Sequence, residues 1–214
     1  MRSFICFLLC IPLLISCDAT LTYKKKKKEK TEQPGKLSSN QVYRVKEIGW
    51  KTKIPEGWKI LTEKEKQQEN NKGAAAIEEA TGQNLNPSGM INLISISKDQ
   101  FNSFSSTMEP FNEERDGNYD DRNTEMHEII KQTYRAKKID ADYEVAATRI
   151  DDVMFDEYRI TIYAPDRKKI ILEQTIYSAL INGYDFAMTL SYNNKADKIK
   201  MLYIVRNSEF SIKN

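Results

Sequence analysis

The segment from Lys169 to Tyr192 constrains the fold most. Tyr184, Phe186, Met188, Leu190 and Tyr192 alternate with Asp185, Ala187, Thr189 and Ser191, the period of two that makes a strand with one apolar face. Asn182-Gly183 just ahead is a tight-hairpin dipeptide, and Ile170, Leu172, Ile176 and Leu180 share a face on the strand before it. Upstream, Tyr158, Ile160 and Ile162 alternate with Arg159, Thr161 and Tyr163, and Pro165-Asp166 marks the next turn. Tyr143 to Ile150 reads as one more strand, ending at Asp151-Asp152. Four consecutive strands joined by short turns predict an antiparallel meander.

Helical periodicity flanks it. Met126, Ile129, Ile130, Thr133 and Tyr134 recur at helical spacing, which predicts an amphipathic helix over Thr124 to Lys138. Ala196, Ile199, Leu202 and Tyr203 give a second stripe, started by Asn193-Asn194 and trailed by Phe210-Ser211-Ile212. In the N-terminal half, short strands are expected at Val42–Ile48 and Gly57–Leu61 and a longer one at Met90–Ser97. A short helix is expected over Gly73–Thr81, with Gly82 as its C-cap. No internal repeat is visible. The expected class is an α+β sandwich: an antiparallel sheet flanked by helices, in a single domain over residues 41–214.

The N-terminus carries an address. Arg2 is a short positive region, and Phe4 to Ile15 is an apolar run too short to cross a bilayer as an ordinary helix, so residues 1–16 read as a signal peptide. Leu14-Ile15-Ser16-Cys17 resembles the cleavage box of a bacterial lipoprotein signal, with Ile15 departing from the small residue usual there. The resemblance implies lipid attachment at Cys17 and a bacterial cell envelope location, anchored to the membrane through acyl chains. Cys6 and Cys10 would leave with the signal, so the mature chain would hold no cysteine pair for a disulfide. Two or three acyl chains anchor stably where one does not. Asp18 resembles an inner-membrane retention signal of some bacteria; which membrane holds the anchor stays open.

Residues 17–40 read as the lipidated N-terminus and a disordered tether. Lys24-Lys25-Lys26-Lys27-Lys28-Glu29-Lys30, Gln33-Pro34-Gly35 and Ser38-Ser39-Asn40 lack apolar periodicity and cannot bury enough surface to fold. Such a chain would hold the domain about 25 to 30 Å from its anchor. The lysine run is either a solvated spacer or a contact with anionic headgroups, worth on the order of 1 kcal/mol per lysine at the surface. Nucleic acid is not expected, since the run has no interleaved aromatics. Residues 18–40 hold seven lysines against Asp18, Glu29 and Glu32, a net of +4. With +2 for the whole chain and Arg2 in the signal, residues 41–214 carry −3. A basic stem carries a mildly acidic body.

Ile54-Pro55-Glu56-Gly57-Trp58, the long meander, and the closing helix that runs into Ser208-Glu209-Phe210-Ser211-Ile212 together resemble the PsbP/DcrB-like fold. That group includes extrinsic photosystem subunits and periplasmic lipoproteins of bacteria. The resemblance implies a central antiparallel sheet with helices on both sides, and a binding or assembly role without catalysis. The first of these stretches has a plain cause as well, a proline opening an edge strand and a tryptophan filling core.

Sets for chemistry are sparse. The single histidine, His127, opens His127-Glu128-Ile129-Ile130-Lys131; a zincin helix needs a second histidine where Lys131 stands. His127 is expected on the surface of an amphipathic helix. Without a second histidine or a mature thiol, Ser-His and Cys-His nucleophilic sets are hard to build. Asp116, Asn118 and Asp120 match the first ligand positions of a calcium loop. Asp121 replaces its glycine and His127 its bidentate glutamate, so the loop is expected to cap the helix that follows. Gly73, Gly82 and Gly89 are too far apart to cradle a phosphate. No cofactor and no metal are expected. Asp151, Asp152, Asp156 and Glu157 would serve a carboxylate-based hydrolase only if they converged in a pocket. Trp50, Trp58 or the meander tyrosines would serve a small-ligand or glycan capture module only if they lined an open groove. The sequence therefore points to a noncatalytic envelope lipoprotein, not an enzyme, with an envelope protein as partner.

Overall fold

The structure is a computed structural model that describes residues 34–85 and 89–211. The signal peptide, Cys17, residues 18–33 with the Lys24–Lys28 run, and Ile212 lie outside the described residues. The elements follow in the order β1 (Gly35–Leu37), β2 (Val42–Val45), β3 (Trp50–Lys53), β4 (Lys59–Ile60), α1 (Glu63–Thr81), β5 (Ile91–Ser97), β6 (Ser103–Pro110), α2 (Glu113–Asp116), α3 (Tyr119–Ala136), β7 (Ala141–Ile150), β8 (Val153–Tyr163), β9 (Ile170–Ile181), β10 (Tyr184–Tyr192), α4 (Lys195–Arg206) and β11 (Glu209–Phe210).

The expected meander is present as β7-β8-β9-β10, and it forms most of a seven-stranded sheet ordered β4-β5-β6-β10-β9-β8-β7. A second sheet, β1-β2-β3-β11, is built from the two ends of the domain. On one face of the large sheet, this small sheet and α4 bury Trp50, Phe155, Phe186, Met201, Ile204 and Phe210 in one cluster. On the other, α1 and α3 bury Ile77, Met126, Ile130, Tyr134, Tyr158 and Ile176. Full burial of such a side chain contributes roughly 1.5 to 3 kcal/mol. The large sheet therefore carries packed elements on both faces, with helices on each side, which makes the class α+β. We call the two faces the sandwich face and the helical face.

Several elements differ from the expectation, each for a local reason. Helix α1 starts at Glu63, well before Gly73, because Thr62 and Glu65 form a reciprocal capping box; the first half of the helix has no apolar stripe to announce it. Gly82 is its C-cap as expected. Strand β6 is mostly serine, threonine and glutamate, yet it sits between β5 and β10 with nearly every residue buried. The polar residues of β10 are also buried: Asp185, Thr189 and Ser191 lie under the helices instead of facing water. Strand β1 falls inside the segment read as tether. Gly35–Leu37 pairs with Tyr43–Val45, and a Cβ at residue 35 would collide with the Tyr43 ring that lies over it. Backbone pairing, not apolar content, puts this segment into the sheet.

Candidate functional site

The outer end of the meander leaves apolar side chains uncovered. Val145 on β7, Met154 on β8 and Leu180 on β9 share the helical face, yet they remain 58%, 50% and 39% exposed. They border a groove of ≈ 620 Å³ between the sheet and the N-terminal turns of α3, whose polar wall is Tyr119, Asp120, Asn123, Asp156 and Ser178. Helix α3 is positioned there by its cap. The Asn118 side chain accepts from the N–H groups of Asp120 and Asp121, and those two acids occupy the first turn. The loop from Asp116 to Asp121 thus caps the helix, and Asp116 itself is held by Arg115 at 2.7 Å and by the Asn112 N–H at 2.9 Å.

Strand parity decides the fate of the four carboxylates. Asp156 projects to the helical face and lines the groove, whereas Glu157 projects to the sandwich face. Asp151 sits in the β7–β8 turn and accepts from the Phe210 N–H at 2.8 Å; Asp152 is exposed beside it. The four do not converge. Glu157 is bound on all sides, by Thr148, by Arg159 Nε at 2.7 Å and by the Tyr177 hydroxyl at 3.2 Å. Burial alone would push its carboxyl up, but these hydrogen bonds overcome that and hold it below the usual range. It faces a second, more polar cleft of ≈ 400 Å³, where Thr175, Tyr177 and Tyr192 meet Lys198 of α4.

His127 is not the surface residue expected. Its ring stacks on Tyr158 at 4.0 Å, and Tyr143 lies parallel to Tyr158 at 6.0 Å, so three rings meet in the seam between α3 and β7–β8. Burial pushes the imidazole down to about 4. Its Nε2 stands 3.4 Å from Asp156, whose own carboxyl is raised by burial and by Asp120. Burial thus works against the charged form of each group, and so against an ion pair there. Helical periodicity located the face of α3 but not how far the sheet reaches under it.

Trp50 and Trp58 are both core. Trp50 donates from Nε1 to Ser208 at 2.9 Å and packs on Phe186 at 4.9 Å. Neither tryptophan lines either of these two grooves, whereas Tyr177 and Tyr192 line the second. Among the described residues, no three His, Cys, Asp or Glu side chains are grouped as metal ligands, and no helix is long and apolar enough to cross a membrane. The reading of individual residues also missed a buried set under the groove: Glu109, Tyr119, Arg122 and Asp185. Its one signal is an acid on a strand, Asp185, that alternation assigned to solvent.

A central antiparallel sheet with a small sheet and helix on one face and two helices on the other is a PsbP-like arrangement. The solution structure of cyanobacterial PsbP (CyanoP) from Synechocystis sp. PCC 6803 superposes with a TM-score of 0.52, over 80% of this chain and 92% of that one, at 12% sequence identity. At that identity the likeness is one of fold. No protein-family model and no curated protein sequence matches the chain.

Proposed function

We propose that this protein is a bacterial envelope lipoprotein, held on the membrane through acylated Cys17, whose PsbP-like domain is a noncatalytic module that docks an envelope protein. The observation that carries the docking part is the corner of the large sheet where three strands leave apolar side chains uncovered together: Val145, Met154 and Leu180 stand exposed around a groove. The scattered placement of Asp151, Asp152, Asp156 and Glu157 supports a role without catalysis. The lipobox resemblance and the basic stem support the anchor.

A photo-crosslinking residue at Val145 or Met154, in cells, is expected to give a discrete adduct that the same residue at Lys64 on α1 does not. Equal labelling at all three positions would sink the docking site. For the anchor, Cys17→Ser is expected to leave the membrane fraction and to stop incorporating labelled fatty acid; unchanged behaviour would overturn it. A second reading, capture of a small polar ligand such as a glycan, is favoured by the tyrosine-lined cleft on the sandwich face. Perturbation of Tyr177 and Tyr192 resonances by a saccharide panel, without effect at Met154, is the outcome that would select it.

A further inference from the structure

The small sheet carries its charges on one side. Tyr43, Val45, Trp50, Thr52 and Phe210 turn inward and are buried, so strand alternation turns Lys36, Arg44, Lys51, Lys53 and Glu209 outward. The register lines three of these cations up: Lys36 is directly opposite Arg44, and Arg44 directly opposite Lys51. Side chains so placed have Cβ atoms about 5 Å apart, and like charges there repel. Glu209, the one acid on the four strands, ends the row and bonds Lys51 at 2.7 Å. Among the described residues no ion pair holds Lys36, Arg44 or Lys53. Four cations against one acid reverse the balance of residues 41–214, which carry −3.

A lysine on an open edge keeps foreign strands from pairing, which accounts for Lys36 on β1. It does not account for Arg44 and Lys51, which lie on the two inner strands. Their opposition costs the fold stability, so the row points to an anion outside the chain. The chain also enters the domain on this sheet. Gly35 opens β1, and seventeen residues separate it from Cys17. A coil of that length would span roughly 20 to 25 Å. A membrane that holds the N-terminus is thus within reach of the basic face, and anionic headgroups offer that face a plane of matching charge.

We propose that the outer face of the small sheet is a membrane-contact surface, on which Lys36, Arg44, Lys51 and Lys53 rest against anionic lipid headgroups. Each cation brought to such a surface favours the contact about fivefold. The contact lays the small sheet on the bilayer and turns the helical face of the large sheet away from it. The groove beside Val145, Met154 and Leu180 then faces the compartment where a protein partner would approach. That consequence, and the presence of the domain at a membrane, rest on the function proposed above; the basic face itself does not.

The test uses the full chain and its own tryptophans. Trp50 and Trp58 are both buried in the sandwich-face cluster and serve as donors. Energy transfer from them to a dansyl headgroup lipid is measured on vesicles of phosphatidylcholine alone and of phosphatidylcholine with equimolar phosphatidylglycerol. Wild type is compared with a sheet variant, Lys36→Gln/Arg44→Gln/Lys53→Gln, and with a control, Lys64→Gln/Lys72→Gln/Arg135→Gln, exposed on α1 and α3. Both variants keep the Lys24–Lys28 run, so a difference between them belongs to the faces. Transfer in wild type and control is expected to rise with phosphatidylglycerol and to fall in about 1 M salt, where screening acts within about 3 Å. In the sheet variant the ratio of docked to lifted domain is expected to drop about fivefold per cation removed. Its thermal unfolding is expected at or above the wild-type temperature, because repulsion along the row is relieved. Transfer that ignores lipid charge, or an equal loss in the sheet variant and the control, would overturn the lipid as occupant of the row. If the triple variant does not fold, Arg44→Gln against Lys64→Gln carries the same comparison. A chain that stays off phosphatidylcholine vesicles removes the anchor reading alone, since the phosphatidylglycerol arm reads the basic face without it.

Discussion

Asp151 lets two effects at one residue be separated by three substitutions. It occupies the turn between β7 and β8 with φ +52, and its Oδ2 accepts from the Phe210 N–H at 2.8 Å. The carboxylate thus staples the hairpin to β11, the last strand of the small sheet. A hydrogen bond to a charged group contributes about 1.5 to 3 kcal/mol, and this half-buried one belongs at the lower end. A left-handed backbone costs an ordinary L-residue roughly 1 to 2 kcal/mol and costs Asn, Asp or Gly little. Asp151→Asn keeps the conformation and a weaker acceptor, for a loss of about 0.5 to 1 kcal/mol. Asp151→Gly loses the bond without strain, about 1.5 kcal/mol, and Asp151→Ala adds strain to that loss, about 3 kcal/mol. Urea unfolding at pH 7 with a common slope measures the series, and amide exchange at Phe210 reports the staple directly. If glycine and alanine are equally destabilising, the strain argument fails. If asparagine is as damaging as alanine with Phe210 still protected, the staple argument fails as well.

Gly49→Ala is expected to be among the most destabilising single changes in the small sheet, by about 3 kcal/mol, measured by thermal unfolding. Its φ is +62 and an added Cβ would stand 2.3 Å from the Ser211 carbonyl oxygen, breaking the pairing in which Ser211 N–H donates to Gly49. For His127, imidazole resonances are expected to stay those of the neutral ring on acidification until about pH 4. The folded state then binds fewer protons than the unfolded chain, whose histidine titrates at 6.5. Its contribution is present above pH 6.5 and is lost as pH falls toward 4. His127→Phe should remove that slope; a ring that titrates near 6.5 in the folded protein would contradict its burial against Tyr158.

What the sequence shows of this fold depends on which force places each element. β7 to β10 and α3 are placed by apolar periodicity, so the residues that drive their burial are also the ones that reveal them. α1 begins at a polar capping box, and Lys66 and Asn70 are buried on it by hydrogen bonds to Leu93 O and to Asn92. No apolar stripe records that. β6 and β1 go further, because their positions are set by strands on either side and not by their own side chains. Ser106 of β6, for instance, is buried while bonding the backbone of Ile94 in both directions. Polarity in a strand predicts solvent only where no neighbour supplies partners.

The same logic explains why the groove and the buried charged set beside it escaped a reading along the chain. Asp156 and Glu157 are adjacent in sequence and face opposite sides of the sheet, whereas Glu109 and Asp185 are distant in sequence and directly opposed. Proximity of charges along a strand therefore says little; only pairing order brings them together. Once β6 is known to lie beside β10, the register places two acids under α3, where Arg122 of the helix approaches Glu109 and the Tyr119 hydroxyl donates to Asp185, at the wall of the groove.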